Sequence, residues 1–286
     1  MTQTMGAIVR SQANAVTSFR RLHAGERVLL LPNVWDAGSA ALFAAVGAAA
    51  VATTSAGLAW ACGFADGGAL PRTSLMFAVG SIGRVVGDIP LTVDIEGGYA
   101  NEPDGVADVV SELLALGVAG INIEDATGAP DLLAAKIAAI KRRVRDNGAD
   151  VFINARTDVY LRELACGEDA ERETVSRAQL YARAGADGIF VPDLSDPSAI
   201  RRIANATALP LNLTAVPGLP PFRELHALGV RRVSAGASIA KSAYGTARRI
   251  AASFLLGGDS GVLFADDAVD YGEMNALLEK AATARE

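Results

Sequence analysis

The sequence predicts a (β/α)8 TIM barrel, and three observations predict it. Eight short runs rich in Val, Ile and Leu recur along the 286 residues, and a helical pattern follows each of them. The runs are apolar continuously rather than at alternate positions, as parallel strands covered on both faces should be. Eight strands alternating with eight helices in one chain is the barrel count. A doubly wound open sheet shares this alternation and stands as the competing architecture. With 51% hydrophobic and 20% charged residues the chain can bury a large core, and barrels of this length usually form one domain.

Taken in order, the N-terminal MTQTMGAIVRSQANAVTSFRRLHAG lacks the apolar core of a signal peptide and reads as an amphipathic helix. The first strand, 27–33 (RVLLLPN), leads to a helix over 37–47. The second, 50–55 (AVATTS), follows an Ala-rich stretch over 41–52 that is too short to span a bilayer. The third, 90–96 (PLTVDIE), lies between helices over 71–87 and 104–117. "LGVAG" stops that second helix and opens the fourth strand, 120–125 (GINIED), which is followed by a helix over 132–146. The fifth strand is 151–156 (VFINAR), with a helix over 170–184. "AGADG" introduces the sixth, 188–193 (GIFVPD), and its helix over 195–206. "ATALP" introduces the seventh, 210–215 (PLNLTA), with a helix over 221–228. The eighth, 231–236 (RRVSAG), leads to a helix over 238–255. Residues 1–257 thus form the barrel with its N-terminal helix. Residues 258–286, loop-like and then briefly helical, form an extension that packs on the barrel or on a neighbouring subunit.

Net charge is −6 without a long charge run, which argues against nucleic acid and anionic membrane as partners. Two cysteines, Cys62 and Cys166, cannot build a disulfide framework and fit a reducing cytoplasm.

In such a barrel the chemistry sits at the C-terminal ends of the strands. Those ends supply Asn33, Trp35 and Asp36, then Thr54, Ser55 and Gly57. Asp94 and Glu96 follow, then Glu124 and Asp125, then Asn154, Arg156 and Asp158, and finally Asn212 and Thr214. Asp94 and Glu96 are two residues apart, so in a strand they would share a face and repel. A hard divalent cation turns that repulsion into shared coordination; Mg²⁺ keeps several waters and needs only one or two carboxylates directly, with Mn²⁺ as a substitute. The alternative is that these acids cap helices or pair with arginines. Arg156 suits a carboxylate or phosphonate held bidentately, or else a structural salt bridge to Asp158 or Glu124. Ser55 and Gly57 offer a hydroxyl and backbone N–H groups to an anion, although both are ordinary turn residues.

Absences narrow the chemistry. His23 and His226 lie away from the strand ends, which disfavours a His-based triad or a zinc site. Lys136, Lys141, Lys241 and Lys280 all fall in predicted helices, so no Schiff-base lysine is evident. No G-x-G-x-x-G follows the first strand. Carboxylates, a cation and one arginine suit an α-keto acid, whose carboxylate and carbonyl oxygens chelate the metal while an enolate forms.

At these residues the sequence resembles the isocitrate lyase/phosphoenolpyruvate mutase superfamily, in its carboxyvinyl-carboxyphosphonate phosphorylmutase-like branch. The matching pieces are "LPNVWDAGSA" (31–40), "TTSAGLA" (53–59), "VDIEGGYA" (93–100), "INIEDATG" (121–128), "INARTDVYL" (153–161) and "RAQLYARAGADGIFVP" (177–192). The resemblance implies a Mg²⁺-dependent barrel whose last helix is swapped between paired subunits, a dimer of helix-swapped dimers. It implies that Asp94 binds the metal directly and that Glu96 and Glu124 act through waters. It places Ser55, Gly57 and Arg156 around the substrate carboxylate, with Trp35 and Asp36 near it, and Asn212 matches a strand-seven polar position that binds substrate or else makes a hydrogen bond within the barrel. Arg156, Glu124 and Asp66, from "GFADGGA", make up the implied catalytic set.

One departure shapes the expected reaction. Members that cleave isocitrate or 2-methylisocitrate carry a Lys-Lys/Arg-Cys-Gly-His loop after strand four. Here that place reads "EDATGAPDLLAAK", leaving Gly128, Ala129 and Pro130 for a shorter lid, and isocitrate lyase activity is not expected. The mutase and hydrolase gate is missing too. The resulting expectation is a Mg²⁺-dependent lyase of 2-oxo or 2-hydroxy acids, working through a pyruvate-type enolate. Phosphonate P–C chemistry is the alternative on the same scaffold, and a barrel that binds an α-keto acid without turnover is the non-enzymatic one.

Overall fold

The computed structural model describes residues 2–257, 260–264 and 268–283. Helix α1 (Thr2–His23) precedes β1 (Leu29–Leu31) and β2 (Asn33–Val34). Next come α2 (Ala37–Ala45), β3 (Val51–Thr53), α3 (Ser55–Ala61), α4 (Arg72–Val86), β4 (Leu91–Asp94), α5 (Pro103–Ala115) and β5 (Gly120–Glu124). The chain continues through α6 (Pro130–Asp146), β6 (Phe152–Arg156), α7 (Gly167–Ala184), β7 (Gly188–Val191) and α8 (Pro197–Ala206). It ends with β8 (Leu211–Thr214), α9 (Phe222–Leu225), β9 (Val230–Ser234), α10 (Ser238–Gly257), a 3-10 turn (Ser260–Leu263) and α11 (Tyr271–Thr283).

All strands are parallel, in the order β1-β9-β8-β7-β6-β5-β4-β3-β2. The two ends of that order are halves of one strand, divided at Pro32. β1 pairs with β9 and β2 with β3, so the sheet closes on itself and the open-sheet alternative falls away. Proline lacks the N–H a ladder needs, which explains the break. The eight expected strands are therefore present, the first in two pieces.

From β4 to β8 even-numbered strand residues face the interior and odd-numbered ones face the helices; β9 keeps this pattern from Arg232 on, after a register shift that pairs Val230 with the outward Leu211. The outward set, including Val93, Ile121, Ile153, Ile189, Leu213 and Val233, packs with Leu75, Val109, Leu113, Ile137 and Ile140 of the helices in the main apolar core. The inward set is layered. At the bottom Leu29, Leu31, Ala50, Ala52 and Phe152 meet Val16 and Phe19 of α1, which plugs the N-terminal end of the barrel. Gly120 belongs to this layer, where a Cβ would come within 2.9 Å of Phe19 and 3.1 Å of Thr92 Oγ1.

A polar layer lies above. Asn154 Nδ2 donates to Asn122 Oδ1 at 2.9 Å, and the Arg232 guanidinium donates to Ser234 Oγ at 3.2 Å and Asn122 Oδ1 at 3.3 Å. Ser234 Oγ in turn reaches Asn212 Oδ1 at 3.3 Å.

Two elements depart from the expected layout. An additional helix, α3, begins at Ser55, because Thr54 caps it through its side chain. Helix α10 does not cover its own barrel: only Ala240 is buried, and Leu255 and Leu256 are 81% and 89% exposed. Leu30, outward on β1, is correspondingly 46% exposed. Part of the C-terminal extension folds back, with Leu277 and Leu278 of α11 against the core beside α2 and α4. Within that extension residues 258–259, 265–267 and 284–286 lie outside the described residues. No described helix is long and apolar enough to cross a membrane.

Candidate active site

Strand β4 delivers Asp94 to the barrel mouth, where its N–H donates to Thr53 Oγ1 at 2.9 Å. The strand then ends, and Glu96 adopts a left-handed φ of 50°. That turn places the Glu96 N–H 3.0 Å from Asp94 Oδ1, while the Glu96 carbonyl accepts the Glu124 N–H at 3.0 Å. Asp94, Glu96 and Glu124 are thus tied through one run of hydrogen bonds across two neighbouring strand ends. The Glu96 side chain also accepts from the Gly68 N–H, which draws in the loop carrying Asp66.

The electrostatics follow from this crowding. Burial pushes Asp94 above the usual carboxylate range, Arg156 works against it, and Asp66 adds to it. Glu96 is raised by burial and then by Asp94 and Asp66. Glu124 is drawn both ways, upward by burial and by Asp94 and Asp158, downward by Arg156 in contact at 2.6 Å. With a guanidinium so close, the ionised form of Glu124 is the one the geometry favours. Asp94 and Glu96 have no ion-pair partner of their own among the described residues.

Arg156 closes β6, the strand next to β5, in register with Glu124. Its Nε and Nη2 grip Asp158 at 2.6 and 3.1 Å, its Nη1 holds Glu124, and its plane lies over Phe190 at 5.9 Å. Both structural partners that the sequence offers Arg156 are therefore real. Three of the five guanidinium donors are engaged and two are left. Asp158 is fully buried and also accepts from Arg162 at 2.8 Å, and its N–H donates to Asp125 Oδ1 at 3.0 Å. Asp125 is held by Arg177 at 3.0 Å and the Tyr181 hydroxyl at 2.5 Å, so these two acids anchor the site rather than face it.

The remaining residues divide by place. Asp36 caps α2, accepting the Ser39 N–H at 2.7 Å, and the half-buried Trp35 beside it packs on Phe43 and Tyr244. The Gly57 N–H donates to Thr54 Oγ1 at 3.4 Å, so this amide serves the α3 cap rather than standing free for an anion. A Cβ at Gly57 would fall 2.8 Å from Trp35 Cβ and 2.6 Å from Thr54 Cγ2, which requires glycine there. Ser55, at the first turn of α3, remains near the mouth. Asn212 lies lower, in the polar layer, with its Nδ2 unpartnered. The expected shorter lid is a tight turn, closed by the Gly128 N–H on the Asp125 carbonyl at 2.7 Å before α6 begins at Pro130.

Three contributors escape a reading of the sequence. Arg232 sits fully buried in the interior, and its even strand parity is the available signal. Lys136, from inside a helix, donates to the Gly97 carbonyl at 2.7 Å, a contact no spacing announces. Tyr99 belongs to the same loop and lines, with Glu96, Gly68, Asn101 and Lys136, a cavity of about 460 Å³.

Among the described residues no three His, Cys, Asp or Glu side chains close into a ready-made metal cage. The donor set around Asp94 is nevertheless all oxygen and under-neutralised, which fits a hard cation that keeps most of its waters.

A family model described as phosphoenolpyruvate phosphomutase matches residues 19–255. Among curated proteins, the chain is 30% identical to a chloroplastic carboxyvinyl-carboxyphosphonate phosphorylmutase of Arabidopsis thaliana, over 70% of this chain and 61% of that one. It is 27% identical to a 2-methylisocitrate lyase of Bacillus subtilis, over 74% and 72%. Among solved structures, a Burkholderia cenocepacia protein provisionally described as a phosphonomutase is 41% identical, with a TM-score of 0.78 over 82% of this chain and 98% of that one.

Proposed function

Since the chain belongs to the phosphoenolpyruvate phosphomutase family, within the isocitrate lyase/phosphoenolpyruvate mutase superfamily, we propose that it is a Mg²⁺-dependent lyase of a small 2-oxo or 2-hydroxy acid. Lyase and mutase chemistry on small molecules runs through its relatives. The observation that carries the finer reading is the tie between Asp94, Glu96 and Glu124. Three acids at one mouth share hydrogen bonds, and the guanidinium they face is already divided between Glu124 and Asp158.

In this reading Asp94 is the direct ligand, with Glu96 and Glu124 holding the ion's waters and Asp66 adding charge from the facing loop. When bound, the cation supplies positive charge where negative charge develops on the substrate oxygens. The two remaining Arg156 donors orient the substrate carboxylate, and Asp158, locked by Arg162, keeps the fork in its plane. Ser55 and Trp35 bound the other side of the mouth. In a 2-oxo acid, breaking the bond between C3 and its outer carboxylate or carbon substituent would release CO₂ or a carbonyl fragment and leave the bonding pair as a pyruvate-type enolate. Its proton comes from water, because no side chain at the described site stands out as a general acid.

P–C chemistry on the same residues is the second reading, favoured by the 41% identity to the provisional phosphonomutase. Two further parts belong to the proposal. The uncovered outer face of β1 and the exposed length of α10 support an exchange of that helix between subunits in a dimer of dimers. Exposed, unpaired Cys62 and Cys166 support a reducing, cytoplasmic setting.

The test is a panel of 2-oxo, 2-hydroxy and phosphono acids, assayed for pyruvate, CO₂ and phosphate with and without Mg²⁺. Metal-dependent release of pyruvate or CO₂ is expected. Metal-dependent phosphate release from phosphonopyruvate instead would select the second reading, and turnover unaffected by chelation would overturn both.

A further inference from the structure

Lys136 occupies a position where an aliphatic residue would be easier to accommodate. On α6 it lies among Leu133, Ile137 and Ile140, it is 8% exposed, and burial pulls its amine below the usual lysine range. No carboxylate lies within ion-pair distance of it among the described residues. Its ammonium donates instead to the Gly97 carbonyl at 2.7 Å. The stem is packed on the apolar side of α6 and the ammonium, at the wall of the cavity, has no counter-charge beside it, so its contact with a backbone carbonyl calls for an explanation.

The explanation is in the turn it grips. Residues 95–98 form a reverse turn, closed by the Gly98 N–H on the Ile95 carbonyl at 2.8 Å. Within five residues the backbone is left-handed at Glu96 (φ 50°), Gly98 (φ 108°) and Tyr99 (φ 57°). Two of these are not glycine, and each such residue carries strain that the surroundings must overcome. The Gly97–Gly98 peptide is pinned at both ends: its N–H by Ile95 and its C=O by Lys136. Gly98 could not be replaced, because a Cβ would meet Val106 at 2.7 Å. What the turn fixes is Glu96, whose own N–H and C=O contact Asp94 and Glu124.

We infer that Lys136 is a positioning residue: its ammonium, clamped on the Gly97 carbonyl, holds the strained 95–99 turn that aims Glu96 at Asp94 and so sets the affinity for the divalent cation. The inference rests on the proposed metal role of Asp94 and Glu96, and deepens it. A purely structural lysine would support α6 and the core generally; this one acts on a single peptide at the mouth.

The experiment compares wild type with Lys136→Met, which keeps the apolar stem, and with Lys136→Arg, which restores a cationic donor. Hydrogen exchange is followed by mass spectrometry on the metal-free protein, and Mn²⁺ binding by the signal of the free ion. For Lys136→Met, exchange should speed up at least about tenfold in peptides covering 95–101 and stay unchanged in β6 to β9. Mn²⁺ should dissociate at about tenfold higher concentration, and Lys136→Arg should recover part of both. Unchanged exchange over 95–101 would overturn the clamp. Faster exchange throughout the barrel, or a lowered melting temperature with Mn²⁺ affinity intact, would do the same. A locally loosened turn in a protein whose wild type binds no Mn²⁺ would leave the clamp standing and defeat the metal reading instead.

Discussion

A guanidinium gripped by Asp158 and touching Glu124 is held in a fixed plane, and under the proposed function that rigidity would let Arg156 orient an acid. Arg156→Lys keeps the charge but removes the fork. Without that bidentate, charge-assisted pairing KM for the acid should rise by roughly 10- to 100-fold, with kcat changing less. Steady-state kinetics on whichever acid the panel identifies checks this, and an unchanged KM would return Arg156 to a purely structural role. Residue by residue, the acids are readable because carboxylates at strand ends announce themselves in sequence. The Asp36 cap and the Gly57 packing position look like ligand groups in sequence, because capping and binding draw on the same residue types. Lys136 is unreadable: its partner is a backbone carbonyl 39 residues away.

Helix α1 shows what an element contributes beyond its amphipathic pattern. At the closed end of the barrel Phe19 meets Phe152 edge to face and His23 stacks on it, with ring centroids 5.2 and 4.2 Å away. Phe19→Ala should cost about 3–5 kcal/mol in denaturant unfolding. The His23 Nδ1–H donates to the Phe19 carbonyl at 2.8 Å, and burial, followed by Arg232 and Arg20, pushes the imidazole down to about 3. The folded protein therefore excludes the protonated form. The part of the stability that His23 contributes should be complete above about pH 6.5 and decline as pH falls from there toward 3, as the unfolded chain takes up the proton first. Equilibrium unfolding at pH 7 and pH 5 measures the decline, and His23→Phe should flatten it. Among the elements themselves, the break at Pro32 and the helix at Ser55 are hidden in the sequence. In the first a single residue interrupts a continuous apolar run, and in the second Thr54 turns an apparent strand end into a cap.

For the whole molecule the barrel is readable from alternation alone, since apolar strand runs rich in Val, Ile and Leu repeat eight times whatever the interior holds. The interior is not, because its polar layer of Asn122, Asn154, Asn212 and Arg232 is interleaved with those same runs. Nor does a single chain explain α10, whose Phe254, Leu255 and Leu256 face outward while the outer face of β1 stays uncovered. If a second copy covers both, Leu255→Asp combined with Leu256→Asp should reduce the mass measured by light scattering while the monomer's helical content stays intact. An unchanged mass would place the oligomer contact elsewhere. The central claim concerns the acids at the mouth, and calorimetric titration of Mg²⁺ in the presence of oxalate tests it most directly, with wild type and Asp94→Ala compared at equal folded content. Saturable, mutually dependent binding of the two ligands to wild type and its loss in Asp94→Ala is the predicted result; equal binding by both proteins, or none by wild type, would contradict it.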